Sequence, residues 1–216
     1  MEIWSLFTNA IVQSIEFFTS EVGVGEAMAI IIFTLLGRLL LMPINLNAMV
    51  NMYKNKKAIS AIKPELDKLK IVHKDNPSEI AKYTIELYKK HNIKFLDKSS
   101  VANIASQGIF GFGMFQALQQ IVFNSKFAWI ANIAKPDVFL ALLVGVITYF
   151  SMIMMPGSAE QTSTLLFVIP AIICIVTLIN FPSALGLYWA TSSVTSLFQS
   201  LVLNKYLKKQ EKLKAI

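Results

Sequence analysis

The sequence predicts an all-α membrane protein with five transmembrane helices, a cytoplasmic helical hairpin and an N-terminal interfacial amphipathic helix. Three observations predict it. Hydrophobic residues make up 55% of the 216 positions and charged residues only 15%, against about a quarter charged in a soluble domain. The apolar residues gather into runs near the ~20 residues a helix needs to cross a bilayer. The charge is segregated: twelve lysines lie from Lys54 to Lys98 and five from Lys205 to Lys214, while the first 26 residues hold four acids and no lysine or arginine.

Residues 1–22 carry Ile3, Leu6, Phe7, Ile11, Ile15 and Phe18 at helical spacing, interrupted by Asn9, Gln13 and Glu16. That pattern fits an amphipathic helix lying in the interface better than a span. The acidic opening without a basic n-region predicts no secretory signal peptide. The core spans 23–50 and 101–203, and its first convincing run, 27–50, contains Arg38 and, five residues on, Pro43.

Residues 51–100 are lysine-rich and interleaved with acids. Ile59, Ile62, Leu66 and Leu69 form one stripe, and Ile80, Tyr83, Leu87 and His91 a second. Between them, Asn76-Pro77-Ser78-Glu79 reads as an N-cap, a proline in the first turn and an acid at the third position. A hairpin of two helices outside the membrane follows, with Pro64 breaking or restarting the first arm. Four more runs, 101–123, 138–155, 163–180 and 183–203, are separated by Lys135-Pro136-Asp137, Pro156-Gly157-Ser158 and Phe181-Pro182-Ser183. Residues 204–216 form a basic cytoplasmic tail. With hairpin and tail on the cytoplasmic side, the N-terminus falls outside, and five crossings bring both long basic segments to one face, as the positive-inside rule requires.

Arg38 is the residue with most to say about function. A charge at the bilayer centre costs ~2.5–3.5 kcal/mol on insertion scales, so it faces protein or water. No Asp or Glu lies within a span to pair with it. It either snorkels or bonds helix carbonyls, or it stands in a hydrated cavity open to an anionic visitor. Thr34, Arg38 and Asn45 share a face. Tyr188, Ser192, Thr195 and Gln199 run down another, beside Trp189, and Gln116 and Gln120 lie one turn apart. Each stripe alone reads as helix-to-helix glue; three together predict a shared hydrophilic groove.

The excluded chemistries are equally definite. Cys174 is a single cysteine in an apolar run, His73 and His91 have no ligand-like neighbours, and no HExxH, GxSxG or P-loop occurs. The sequence therefore predicts no catalytic residue, no metal, no cofactor and no nucleotide hydrolysis. A small transporter or channel using the same polar faces is the rival reading; the lack of an internal repeat and of intramembrane carboxylates weighs against it.

The run Phe181-Pro182-Ser183-Ala184-Leu185-Gly186-Leu187-Tyr188-Trp189 resembles the last-span signature of the YidC/Oxa/Alb insertases. Arg38 with Pro43 resembles the start of that family's core, and Lys63-Pro64-Glu65 and Leu87-Tyr88-Lys89-Lys90 resemble the arms of its hairpin. The likeness runs in order from about residue 25 to 208. It implies a membrane protein insertase of the bacterial plasma membrane, with a positively charged groove for the polar parts of an incoming chain. It also implies nascent membrane protein clients and membrane lipid as partners, with the ribosome and a Sec-type translocon as further candidates, and no DNA. Arg38, Tyr188 and Trp189 carry over as groove residues. Where the family's second span has a glutamine before Met-Pro, this chain has Gly111-Phe112-Gly113, and Gln116 or Gln120 is the expected stand-in.

Overall fold

The computed structural model describes residues 2–74, 76–94, 97–156 and 165–214. Among them are eight helices and no strand: α1 (Glu2–Ser20), α2 (Glu26–Ala61), α3 (Lys63–Val72), α4 (Pro77–Lys90), α5 (Lys98–Gln120), α6 (Val138–Ile153), α7 (Leu165–Leu178) and α8 (Ser183–Lys214). The chain is all-α, as its composition predicts. Gly157 and Ser158 of the expected turn, and the first two residues of the run expected from 163, lie outside the described residues.

The amphipathic stripe of α1 is spent on protein. Thr8, Ile11 and Ile15 are buried, Trp4 stacks on Phe112 of α5 with centroids 5.5 Å apart, and Phe7 packs against Gly113. Ile3 and Leu6 remain exposed.

The run expected to end near residue 50 continues as helix to Ala61, so α2 has 36 residues and a length of about 54 Å. Residues 51–61 contain neither Gly nor Pro and include three lysines and two alanines, which leaves nothing to stop it. Pro64 ends it: a proline cannot sit in a helix interior but is at home in a first turn, so the chain turns at Ile62 and restarts as α3. In α4, the Asn76 side chain accepts from the Glu79 amide at 3.3 Å. The arms meet at the hairpin's base, where Ile62, Leu66 and Ile93 are buried against Ala58, Ile59, Leu87 and Tyr88. Towards the tip the predicted stripe thins to a stack of His73 on Tyr83.

The remaining helices run alternately up and down, and hydrogen bonds at the two ends fix which termini lie together. At one end, Glu26 Oε2 accepts from the amides of Asn124 and Ser125 at 3.1 and 3.0 Å. There too Ser183 donates through its amide and hydroxyl to the Lys135 carbonyl, and the Ala184 amide donates to Ile133. At the other end, Asn51 Nδ2 donates to Ser99 Oγ at 2.8 Å, Asn204 to the Met154 carbonyl at 2.6 Å, and Lys57 pairs with Glu211. The starts of α2, α6 and α8 thus share one end with the finish of α5. Residues 204–214, read from the sequence as a tail, continue α8 without a break.

Among the described residues, one helix, Glu26–Ala61, is both long and apolar enough to cross a bilayer alone; Val138–Ile153 and Phe167–Leu178 are apolar but shorter. The buried core gathers Ile30 of α2, Met114 and Ala117 of α5, Val144 of α6, Cys174 of α7 and Ala184 of α8.

Candidate functional site

A cavity of about 430 Å³ opens between α2, α5, α6, α7 and α8. Its polar wall is built from Arg38, Gln107, Thr148, Ser151, Thr177, Tyr188, Ser192, Ser193 and Ser196, and its apolar wall includes Phe115, Met152, Met155, Leu185 and Trp189. Two glycines bring the walls together. The Phe110 ring lies so close to Gly37 that a side chain there would collide with it, which draws α5 onto α2 beside Arg38. A Cβ on Gly111 would sit 3.2 Å from the Tyr188 hydroxyl, so the missing side chain leaves that hydroxyl its space.

Arg38 Nη1 donates to Gln107 Oε1 at 2.5 Å, and the Tyr188 hydroxyl lies beside the guanidinium. Arg38 Nε is buried without a hydrogen-bond partner among the described residues. Two acids at helix ends that could reach toward it are engaged elsewhere: Glu26 holds the loop after α5, and Asp137 caps α6 by accepting from the Leu140 amide at 2.6 Å. The ion pairs among the described residues are Lys57–Glu211, His73–Glu79 and His91–Glu65, none of which involves Arg38. A guanidinium presents five donors in a fixed fork. Here a neutral amide and a phenol stand where a carboxylate would neutralise it, so the cavity keeps a net positive charge. The opposite wall supplies only hydroxyls, with Thr148 Oγ1 and Ser193 Oγ 3.0 Å apart across α6 and α8.

The cavity brings together four of the residues chosen from sequence: Arg38, Tyr188, Trp189 and Ser192. The others lie apart from it. Thr34 is buried and donates to its own helix at the Ile30 carbonyl. Asn45 donates to Gln199, joining α2 to α8 some two turns along from Arg38. Thr195 donates to the Thr191 carbonyl. Gln116 accepts from the Trp4 indole, and Gln120, exposed, reaches back to the Gln116 carbonyl. The glutamine facing Arg38 is Gln107, not Gln116 or Gln120. Its signal was the stripe Gln107, Gly111, Phe115, one residue per turn with a small one in the middle. Thr148 and Ser151 were legible as the two small hydroxyls of α6, three residues apart on one face.

Among the described residues no group of His, Cys, Asp and Glu could hold a metal ion. Cys174 is buried, its sulfur 3.9 Å from Thr148 Oγ1.

The model of the 60Kd inner membrane protein family matches residues 17–211. A membrane protein insertase YidC of Oceanobacillus iheyensis is 31% identical over 197 residues, covering 84% of this chain and 75% of its own length. The membrane protein insertase MisCA of Bacillus subtilis is 30% identical over 190 residues, 84% of this chain and 71% of its own. The YidC insertase of Helicobacter pylori strain 26695 is 28% identical over 193 residues; the chain spans about a third of that longer protein (34%).

Proposed function

Because the chain belongs to the 60Kd inner membrane protein family, whose relatives are named YidC-type insertases, we propose that it carries nascent membrane proteins into the lipid bilayer through the cavity around Arg38. The observation that carries this reading is a half-buried arginine, its Nε buried, with no acidic partner among the described residues, in a cavity walled by hydroxyls.

Moving a polar segment through hydrocarbon costs several kcal/mol for each unsatisfied group. A hydrated cavity part-way across shortens the dry distance. The uncompensated charge of Arg38 lowers the energy of an acidic segment there most of all, because charges attract more strongly where water is scarce. Gln107 and Tyr188 hold the fork without quenching it. The client's own apolar segment then enters lipid, and that burial drives the step without nucleotide. The hairpin, through its lysines, meets the client or the ribosome before entry.

In this reading α2, α5, α6, α7 and α8 are five crossings, the end holding Glu26, Asn124 and Ser183 is external, and the hairpin and the far end of α8 are cytoplasmic. The alternation of helix ends supports this, as does the positive-inside distribution.

The purified chain in liposomes is expected to speed the membrane entry of a short single-span client with an acidic translocated tail, measured by protease protection, while passing no ions in a flux assay. Ion flux without client entry would establish the channel reading instead.

A further inference from the structure

A second cavity lies on the opposite side of α2 from Arg38's hydroxyl wall. It is polar, about 680 Å³ in volume, and lies between α2 and the start of α5, lined by Asn47, Asn51, Lys94, Asp97, Lys98 and Ser99. Asp97 is turned back onto the start of α5: it accepts from the Ser100 amide at 2.6 Å and from Ser99 Oγ at 2.9 Å. Those bonds, the Ser100 amide first, hold its carboxyl below the usual range, so it stays ionised and committed to capping α5. Two lysines and the Asn47 amide remain available, with one net positive charge.

Directly along the same seam lies an apolar slot of about 620 Å³, lined among others by Leu36, Leu40, Ile109 and Phe110, and closed at its outer end by Phe7 and Ile11 of α1. Cavity and slot belong to one stripe on each helix. On α2, Leu36, Leu40, Asn47 and Asn51 are separated by 4, 7 and 4 residues; on α5, Lys98, Ala102, Ala105 and Ile109 by 4, 3 and 4. All eight are exposed or half-exposed. Between cavity and slot the α5 stripe carries two exposed alanines, so that stripe places no bulky side chain between them. From Leu36 to Asn47 the rise is about 16 Å, close to the ~15 Å hydrocarbon depth of one leaflet.

From this we infer that the α2–α5 seam is a binding site for one anionic phospholipid of the cytoplasmic leaflet, its headgroup phosphate on Lys94, Lys98 and Asn47 and an acyl chain in the slot beneath α1. The inference rests on the membrane placement proposed above. Charge complementarity selects the occupant: basic pockets between helices at the cytoplasmic face suit anionic headgroups. An apolar furrow one leaflet deep below such a pocket suits the chain attached to the same headgroup. A client segment would need no phosphate-sized polar pocket at the furrow's end.

The test reads bound lipid rather than insertion, so its failure is distinct from failure of the insertase reading. Native mass spectrometry of the full chain, exchanged through detergent containing phosphatidylglycerol, is expected to show one retained lipid per chain, and far less with phosphatidylcholine. The double variant Lys94→Gln/Lys98→Gln should lower phosphatidylglycerol retention about ten-fold or more, since both charge-assisted contacts to the phosphate are lost. Ile109→Trp, which fills the slot with both lysines intact, should lower retention as well, while helix content by circular dichroism stays unchanged in both. Millimolar glycerol phosphate should not displace the lipid. Equal retention in the wild type and either variant, or displacement by glycerol phosphate alone, would overturn the inference; the latter would mark a site for free anions.

Discussion

At the scale of single residues the molecule turns on one arginine, and its substitutions separate charge from packing. Arg38→Lys keeps the charge and should retain much of the insertion of acidic-tailed clients. Arg38→Ala removes a charge-assisted interaction worth ~1.5–3 kcal/mol, so entry of those clients should slow about ten-fold or more, with neutral-tailed clients less affected. Arg38→Glu should be the worst for acidic tails, since an ionised glutamate repels them. Insertion rates at matched protein levels check this. Equal damage to both client classes with lowered thermal stability would mean that the arginine only holds helices together. Arg38 was legible because a cation in a hydrophobic run with no acid to match it announces itself. Gln107 was harder: one of several polar residues in α5, it is distinguished from Gln116 only by which face of α5 meets α2. That is decided by Phe110 lying on Gly37, a contact between residues 73 positions apart.

At the scale of elements, two helices outrun the segments their hydropathy defines, and their extensions are tied to each other. Tyr53 donates to Glu211 Oε1 at 2.7 Å and Lys57 pairs with the same oxygen at 2.5 Å, joining the stretch of α2 that carries the hairpin to the end of α8. The bond from Lys57 first, and then that from Tyr53, holds the Glu211 carboxyl below its ordinary value. A carboxyl lowered in this way contributes its tether above the ordinary glutamate pKa and loses it as the pH falls through the lowered value. Spin labels on Lys56 and Lys209 should therefore report a fixed separation at neutral pH that broadens on acidification. Glu211→Gln should show the broad distribution already at pH 7; an unchanged narrow distribution in that variant would remove the tether. The hairpin itself was readable from Asn76-Pro77 and Pro64, since caps and breakers are local signals. That α8 continues as helix was not, because hydropathy falls at residue 204 while helix propensity does not: Lys, Leu, Gln and Glu all extend a helix.

At the scale of the whole molecule, the separation of charge and the alternation of helix ends describe the same object. In a Cys174→Ser background, single cysteines at Ser5, Ser78 and Lys212 should be labelled by an impermeant thiol reagent from outside, inside and inside respectively; outside labelling at Ser78 would reverse the orientation. The order of helices was legible from runs of apolar residues and their breakers. Which helix neighbours which was not, since α1 seated on α5, or the cavity passing between α2 and α6–α8, depends on side-chain shape that periodicity does not encode. One feature of α2 reaches across all three scales. It is a single rod of about 54 Å with Arg38 in its first half, the hairpin on its far end, and Pro43 between them removing the bond its amide would have made to the Leu39 carbonyl. Such a rod is a lever with its weak point little more than a turn from the charge: a bend of ~10° at Pro43 moves the hairpin's base, ~27 Å further along, by ~5 Å. Whatever pulls on the hairpin pulls, through Pro43, on the setting of Arg38.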